Sequence, residues 1–391
     1  MCRPFGSFPL ISPFLICFEY ISALGTLSNR GNLTLQLGEM IESGESNCSV
    51  HILSVRRCGL TGKQAMVFCQ IPWLVEDKTN MFLSYTGNGA YCYANSLHMS
   101  LLGAGANPKD LPDPGFLECL TGGPFGKLYL RLENGPLVLF SSPLSDPDLG
   151  LKRAIALLGW ECEEWYGDES QEALSRLREA VQVAPALIGP VDQGYLSYYP
   201  DYHHASGYDH FVVALAIEDD HVLLQDPGGY PCAVLPIKNF LEAWRAERIG
   251  YGRGPYTLRS HFRQVCHLGR HEIIQQALPF LHEDIRANPS GPVAYGGVEA
   301  LHLLANDLRG EVPASISTSL VQFVLPLASR RSLDAAAFLR EAGKAEAAVL
   351  MERQALLVGQ AQSMAVQQQW SAVVPVVEQL IHIEQQLVIC L

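Results

Sequence analysis

The sequence lacks cysteine pairs of the C-x-x-C type, although eleven cysteines are spread over its 391 residues. Zinc ribbons and thioredoxin-type redox motifs need such pairs, so both classes are excluded. The odd number of cysteines and their irregular spacing also argue against a disulfide framework. We therefore expect free thiols, a reducing environment and a cytoplasmic location.

Positive charge is also scarce, because 27 Lys and Arg residues face 40 Asp and Glu residues, which leaves a net charge of −13. Nucleic-acid binding depends on neutralising phosphates, so a chain this acidic is not expected to bind nucleic acid. Only 17% of the residues are charged and 48% are hydrophobic. This composition is typical of a globular protein with a large core.

The amino-terminal region has no unbroken apolar segment long enough to cross a membrane. Its most apolar stretch, residues 4–25, is interrupted by three prolines and by Glu19, and one basic residue, Arg3, precedes it. A membrane span is therefore not expected, and a secretory signal is weakly supported. Because residues 1–80 show little periodicity, we predict an extension upstream of a natural start near Met81. The alternative is a poorly ordered amino-terminal arm.

The hydrophobic pattern becomes regular from Gly89 onward and predicts an α+β domain over residues 81–260. Helices are predicted over 92–102, 146–160, 168–183 and 235–246, and strands over 125–132, 136–141, 161–165, 185–192, 210–217 and 221–229. The last two strands flank a Glu-Asp-Asp turn and predict an antiparallel hairpin. Beyond residue 261 only helical spacing is visible, which predicts a second, all-helical domain over 261–391.

One cysteine, Cys92, lies where a glycine-containing loop enters the helix predicted over 92–102. Backbone N–H groups at a helix N-terminus favour a thiolate and lower the pKa of a thiol. A nucleophilic cysteine needs that position and a base within reach. A lone cysteine before an apolar helix is also a common small buried side chain, so the base decides between the two interpretations.

The predicted hairpin supplies a candidate base and a candidate partner for it. His210 begins the first strand and Asp226 ends the second. Antiparallel pairing brings such positions near each other, as a nucleophile–base–orienter site requires. The structural alternatives are a strand-end histidine and a turn residue before Pro227. We predict a triad of Cys92, His210 and Asp226, which follow one another in the order of papain-like cysteine enzymes.

Metal and cofactor sites are not expected. His203 and His204 precede His210 in a loop, but their spacing matches no standard metal site and no nearby cysteine completes one. The segment GGPFGKL, residues 122–128, has neither the spacing of a phosphate-binding loop nor a Ser or Thr after its lysine.

Seven segments of the chain resemble one known family over residues 85–385. They are YCYANSLHMSLLG, GGPFGKLYL, LKRAIALLGWECE, PALIGPVDQGYLSYYP, DHFVVALAIEDDHVLLQDPGG, YGGVEALHLLANDL and RRSLDAAAFLREAG. The first five are similar to the N-terminal domain of the butirosin biosynthesis protein H family, and the last two to the helical domain that often follows it. The segment VDQGYLSYY, residues 191–199, together with the hairpin that follows it, is the part of the resemblance most specific to this family.

The resemblance implies a papain-like fold related to bacteriocin-processing cysteine peptidases. It also implies an acyltransferase of secondary metabolism that moves an acyl group from a carrier-protein thioester to an amine of a small molecule. The donor would then be a phosphopantetheine thioester. At the matching positions Cys92 is the nucleophile, His210 the base and Asp226 the group that orients the base.

The oxyanion hole departs from the papain-like pattern. These enzymes often place a Gln six residues before the cysteine, and here that residue is Thr86. Asn88 is a candidate substitute, together with the Cys92 backbone N–H. Asp192 follows a predicted buried strand and is a candidate partner for an amine acceptor. A strand-end turn explains Asp192 equally well.

The acyl acceptor and the carrier partner leave alternatives open. With water as acceptor the same triad would serve a peptidase or amidase, and a non-catalytic binding protein of the same fold is a third interpretation. Carrier proteins are usually acidic, so a local excess of basic residues is a candidate docking surface. This basic strip comprises Lys238, Arg245, Arg248 and Arg253. An ordinary solvated face is the alternative.

Overall fold

The computed structural model describes residues 52–54, 65–67, 84–87, 91–133 and 135–391. The chain divides into two units, Met1–Asn80 and Met81–Leu391. In the first unit, strands β1 (Ile52–Ser54) and β2 (Ala65–Val67) pair in antiparallel fashion. The prediction of an upstream extension or poorly ordered arm falls mostly outside the described residues.

The second unit is built on a six-stranded sheet in which all neighbouring strands are antiparallel. In spatial order the strands are β5 (Trp160–Trp165), β10 (Leu258–Gln264), β6 (Ala186–Asp192), β7 (Asp209–Glu218), β8 (His221–Asp226) and β9 (Tyr230–Pro236). A smaller antiparallel sheet has the order β11 (Ala294–Gly296), β3 (Leu128–Leu132) and β4 (Gly135–Leu139).

Helices cover both faces of the six-stranded sheet. The helices of this part of the chain are α1 (Cys92–Gly103), α2 (Pro114–Thr121), α3 (Pro147–Leu157), α4 (Ser170–Val183) and α5 (Ile237–Arg245). Because side chains alternate along a strand, Phe211 packs into the core that includes α1, and Val212 into the core formed with α4 and α5. Strand β6 is buried along its whole length, which explains its nearly continuous apolar sequence.

The carboxyl-terminal part is helical and shares one core with α1, α2 and α3. Its helices are α6 (Arg270–Arg286), α7 (Gly297–Arg309), α8 (Ala314–Ser319), α9 (Leu325–Glu341), α10 (Ala345–Val366) and α11 (Trp370–Cys390). A π-turn, Leu320–Val324, joins α8 to α9 without a break. The hydrophobic core is continuous across residue 260, so a domain boundary there stays a prediction.

Helix α11 is, among the described residues, the one helix long and apolar enough to cross a bilayer. Half of its most apolar 18-residue stretch is buried inside the protein. Its Glu384 also forms a fully buried ion pair with Lys127 at 2.7 Å. These features are those of a core helix in a globular protein.

The structure has an α+β architecture with antiparallel sheets and a helical carboxyl-terminal region, as predicted, but in the second unit helix α2 and three strands were not predicted. Strand β9 has prolines at its second and last positions, which is tolerated because β9 is an edge strand. Strand β10 contains Arg259, whose charge is buried against Asp148 at 2.6 Å, so its polar sequence concealed a buried strand. Strand β11 has three residues, too few to show a period. Because it lies within residues 261–391, that region is mainly helical but not all-helical as predicted.

Candidate active site

The predicted nucleophile stands at the first residue of helix α1. Cys92 is half-buried, and Tyr91 before it adopts a left-handed conformation with φ 59° and ψ 49°. No side chain caps this helix N-terminus. The first N–H groups of a helix have no partner within the helix. At the start of α1 these groups favour a negative charge near Cys92.

The predicted base and its partner meet across the hairpin. The β7–β8 register pairs Val213 with Gln225, so His210 and Asp226 lie near the end of the ladder. Their side chains are buried, and His210 Nε2 lies 2.8 Å from Asp226 Oδ1. The Cys92 thiol and the His210 imidazole lie near enough that each shifts the pKa of the other. The structure thus brings all three predicted residues together.

The Asp226 carboxylate is fully buried and accepts several hydrogen bonds. Tyr198 donates to Oδ2 at 2.6 Å and Tyr199 donates to Oδ1 at 3.0 Å. The Gly228 N–H donates to Oδ1 at 2.6 Å. Gly228 must be glycine for this packing, because a Cβ there would lie 2.0 Å from the Tyr199 hydroxyl oxygen. Together with His210 these donors hold the carboxylate in one orientation.

The charges of the three residues are coupled. Burial lowers the pKa of His210, but the Asp226 carboxylate and the Cys92 sulfur outweigh burial and raise it to about 10. Burial raises the pKa of Asp226, and the His210 cation with the Tyr198 and Gly228 donors brings it below its ordinary value. For Cys92, burial raises the thiol pKa and the His210 cation opposes burial only in part, so the pKa stays above its ordinary value. Protonated His210 therefore favours the thiolate, and the pair titrates as a unit.

Comparison with known proteins identifies the family. A family model for the YobF C-terminal domain matches residues 291–391. The chain is 30% identical over 293 residues to the uncharacterized protein YobF of Bacillus subtilis (strain 168). That match covers 74% of this chain and 92% of the relative. The chain belongs to the YobF family. The resemblance to the butirosin biosynthesis protein H family stays an expectation beside this assignment.

In this YobF-family protein, one of the two predicted oxyanion candidates lies within the described residues. Thr86 is half-buried, and its Oγ1 lies 3.1 Å from His98 Nδ1 on helix α1. This contact ties the segment before Cys92 to the same helix. Asn88 lies outside the described residues, so its role as an oxyanion donor stays a prediction.

The predicted pocket residue Asp192 caps a loop. Its Oδ1 accepts hydrogen bonds at 2.9 Å from the backbone N–H groups of both Gly194 and Gly207. The side chain is buried. Asp192 thereby joins the two ends of the loop between β6 and β7, which carries Tyr198 and Tyr199. This geometry favours the turn interpretation over a contact with an amine.

Two of the four cations in the basic strip, Arg245 and Arg253, are paired with carboxylates of their own chain. Lys238 is exposed, whereas the other three residues have partners: Arg245 with Glu247 at 2.6 Å, Arg248 with Ser206, and Arg253 with Asp146 at 2.7 Å. These pairs are at the surface and contribute little to stability. A carrier protein docking here would have to compete with them, so the strip is a weaker docking surface than its sequence indicates.

The loop histidines are exposed. His203 and His204 lie in a short 3₁₀ turn, Tyr202–Ala205, and the ring of His203 stacks on Tyr202 with the centroids 3.8 Å apart. Within the described part of the chain, no group of three or more His, Cys, Asp or Glu side chains is arranged to hold a metal ion. The described cysteines, at positions 92, 119, 162, 232, 266 and 390, are free thiols.

Two site residues, Tyr198 and Tyr199, were not predicted from the sequence. They lie in the loop after β6, where no periodic pattern assigns a direction to a side chain. The signal available for them was their place in the segment VDQGYLSYY, residues 191–199, which carried part of the family resemblance. Their positions show why that spacing matters, because both hydroxyls donate to the carboxylate that orients His210.

Proposed function

We propose that this protein is a cysteine-dependent acyltransferase in which Cys92 carries the acyl group, His210 is the general base and Asp226 orients the base. One observation carries the proposal. His210 Nε2 lies 2.8 Å from a fully buried Asp226 carboxylate, and His210 is near enough to the Cys92 thiol to lower its pKa against burial. A nucleophile, a base and an orienting group connected in this order are the machinery of covalent acyl transfer.

A papain-like arrangement is the finer description of the fold that we propose. In such an arrangement the nucleophile begins a helix that packs against an antiparallel sheet, and the sheet carries the base and its partner. Here helix α1 begins at Cys92 and packs on the sheet face that includes Phe211. Strands β7 and β8 carry His210 and Asp226.

The first half-reaction forms an acyl-enzyme. His210 takes the proton of the Cys92 thiol, and the thiolate attacks the carbonyl carbon of a thioester. The tetrahedral intermediate then collapses, the bond from the carbonyl carbon to the donor sulfur breaks, and the departing thiolate takes the proton back from His210. The acyl group is now bonded to Cys92 Sγ, and the donor leaves as a free thiol.

The second half-reaction returns the free thiol. An acceptor amine attacks the acyl carbon, and His210 removes a proton from the amine nitrogen. The bond from the acyl carbon to Cys92 Sγ breaks, and the thiolate receives that proton. The product is an amide. The Cys92 backbone N–H, at the N-terminus of α1, is the donor we place against the oxyanion in both halves.

The donor we propose is a phosphopantetheine thioester on an acyl carrier protein, with a small-molecule amine as acceptor. This part rests on the resemblance to the butirosin biosynthesis protein H family, which implies a role in secondary metabolism. The free thiols support a reducing, cytoplasmic location. Lys238 and the paired arginines of the basic strip are the docking surface that the sequence offers.

Intact-protein mass spectrometry tests the proposal. The protein is incubated with an acyl-phosphopantetheine thioester, and the Cys92→Ala variant is treated in parallel. We expect one acyl adduct that is absent from the variant. The control is a Cys232→Ala, Cys266→Ala double variant, which removes the two exposed thiols of the described part of the chain and should still form the adduct. An unchanged adduct on Cys92→Ala, or no adduct on the unaltered protein, contradicts the proposal.

A peptidase or amidase is the second candidate, because the same triad would hydrolyse the acyl-enzyme if water were the acceptor. The fate of the adduct separates the two. An adduct that persists in buffer and disappears on adding amines identifies a transferase, whereas rapid loss in buffer alone identifies a hydrolase. A Cys92 that resists iodoacetamide at neutral pH would instead favour a non-catalytic binding protein.

A further inference from the structure

We propose that the YobF C-terminal domain is part of the catalytic apparatus, because helix α9 holds both chain neighbours of Cys92 and makes Asp334 and Arg331 positioning residues for the thiol. This inference rests on the proposed function, in which Cys92 is the nucleophile. Both positioning residues lie within residues 291–391, which the family model matches.

The residue before Cys92 is held from α9 through its hydroxyl. Tyr91 is buried, and its Oη donates to Asp334 Oδ2 at 2.7 Å. Arg330 donates to the same oxygen at 2.8 Å and places its guanidinium 5.5 Å from the centre of the Tyr91 ring. A left-handed backbone costs a residue other than glycine about 1–2 kcal/mol. Such a conformation persists when its surroundings over-determine it, and these contacts do so.

Tyr93, the residue after Cys92, is also held from α9, by Arg331. Tyr93 Oη donates to Glu118 Oε1 at 2.6 Å. Arg331 Nη2 donates to Tyr93 Oη and Arg331 Nε to Glu118 Oε1, both at 2.8 Å. A third guanidinium nitrogen, Nη1, donates to the Phe140 carbonyl at 3.2 Å. The side chains of Glu118 and Arg331 are buried, so this attachment is rigid.

Two glycines make room for these attachments. A Cβ on Gly115 would lie 2.6 Å from the carboxyl carbon of Asp334. A Cβ on Gly123 would lie 2.7 Å from Glu118 Oε1 and 3.1 Å from the hydroxyl oxygen of Tyr93. Helix α2 and the turn after it therefore approach the anchoring side chains as closely as glycine allows.

The two attachments together determine where the Cys92 thiol points. They hold the chain one residue before and one residue after the nucleophile, so the first turn of α1 cannot rotate without breaking one of them. The thiol must face His210 for the proton to be transferred. A displacement of about 1 Å at a reacting group can reduce a rate about a hundredfold, so loss of one attachment has a measurable effect.

The test measures the reactivity of Cys92 toward iodoacetamide across pH, read by peptide mass spectrometry, with the exposed Cys232 of the same molecule as internal standard. The variants are Tyr91→Phe and Asp334→Ala, which remove the same hydrogen bond. The control is Tyr129→Phe, which removes a comparable bond between Tyr129 Oη and Asp307 Oδ2 at 2.6 Å. The control bond also joins the first part of the chain to a helix of the YobF C-terminal domain, α7.

We expect Tyr91→Phe and Asp334→Ala each to slow alkylation of Cys92 at neutral pH about tenfold and to raise the apparent thiol pKa. The double variant should be no slower than the slower single variant, because both changes remove one interaction. Asp334→Asn keeps an oxygen acceptor and should restore most of the reactivity. Tyr129→Phe should leave the Cys92 profile unchanged even if its melting temperature falls equally.

An unchanged Cys92 profile in Tyr91→Phe and Asp334→Ala would overturn the proposal. A profile shifted equally by Tyr129→Phe would also overturn it, because the effect would then be one of general stability. Alkylation requires no acyl donor, so this readout is separate from acyl transfer. If the unaltered protein forms no acyl adduct but the variants change the pH dependence of Cys92 alkylation as expected, the acyltransferase proposal fails and the positioning role stands.

Discussion

Two buried clusters lie on either side of Cys92, and each contains a carboxylate, a cation and at least one tyrosine hydroxyl. The histidine cluster consists of His210, Asp226, Tyr198 and Tyr199, and the arginine cluster of Arg331, Glu118 and Tyr93. The two cations differ. An imidazole can release its proton, whereas a guanidinium stays charged. Similar hydrogen bonds therefore suit proton transfer in the first cluster and fixed geometry in the second.

The largest effect we expect is from His210→Ala, which removes the titrating cation. The loss of a general base lowers rates about 100- to 10,000-fold, so acylation of Cys92 should fall by that factor. Iodoacetamide should also react more slowly with Cys92 at neutral pH, because no imidazolium then favours the thiolate. The measurement is the acylation rate by mass spectrometry. A rate within about threefold of the unaltered protein would show that His210 is a structural residue.

The corresponding change in the arginine cluster should act on stability. Arg331→Met leaves the Glu118 carboxylate buried without its cation, and breaking such a pair costs about 3–5 kcal/mol. The free energy of unfolding in urea, followed by tryptophan fluorescence, measures this. An Arg331→Met, Glu118→Gln double variant should recover part of the loss, because the uncompensated charge is gone. A loss below about 1 kcal/mol in the single variant would equate the pair with an exposed one.

Asp226→Asn should change the stability in a pH-dependent way. The pKa of His210 in the folded protein, about 10, lies above the ordinary value of 6.5, so protonation of His210 stabilises the folded state. That stabilisation is complete below about 6.5 and disappears as the pH rises through about 10. The free energy of unfolding of Asp226→Asn should be about 2 kcal/mol lower than that of the unaltered protein near pH 6. This difference should shrink toward pH 10.

Unfolding in urea at a series of pH values checks this prediction. Asp307→Asn serves as the control, because the partner of Asp307 is Tyr129 and not a histidine. Its loss of unfolding free energy should therefore not shrink between pH 6.5 and 10. A deficit for Asp226→Asn that grows between pH 6.5 and 10 would mean that the carboxylate does not hold the proton on His210. The arginine cluster should show no such pH dependence over the same range.

The smallest effect we expect is from removing one donor to Asp226. Tyr199→Phe deletes a hydrogen bond at 3.0 Å and Tyr198→Phe one at 2.6 Å, and we expect each to cost at most about 1.5 kcal/mol, the lower limit for a bond to a charged group, because other donors remain. Because His210 and Gly228 still donate to Oδ1, which Tyr199 shares, Tyr198→Phe should cost more than Tyr199→Phe. Unfolding in urea measures both, and the reverse order would contradict the donor arrangement described for the site.

Several parts of the site could be predicted because they depend on neighbours in the chain. The helix at Cys92 and the hairpin of β7 and β8 followed from local periodicity and from the turn at residues 218–220, and the structure has both. Because the hairpin is local, the approach of His210 to Asp226 was also accessible from the sequence. The helix begins at Cys92 itself, as expected.

Other parts were not accessible, because their partners are distant in the chain or their sequence is misleading. Tyr91 meets Asp334 across more than two hundred residues, and no pattern in either segment indicates that contact. Strand β10 was missed because Arg259 is polar, and its burial depends on Asp148 in helix α3. The basic strip looked more cationic than it is because Asp146, the partner of Arg253, lies 107 residues away in the sequence.

The sequence by itself determined the residue types of the site and the local elements that present them: a cysteine at a helix start, a histidine and an aspartate on one hairpin, and the regular pattern of the helices that follow. These depend on backbone geometry and on side-chain alternation, which act over a few residues. The tertiary structure decided that the Cys92 thiol lies near His210, that the buried Asp226 carboxylate raises the pKa of His210, and that α9 holds both neighbours of Cys92. Those properties depend on burial and on charges brought together from distant segments, which no local pattern contains.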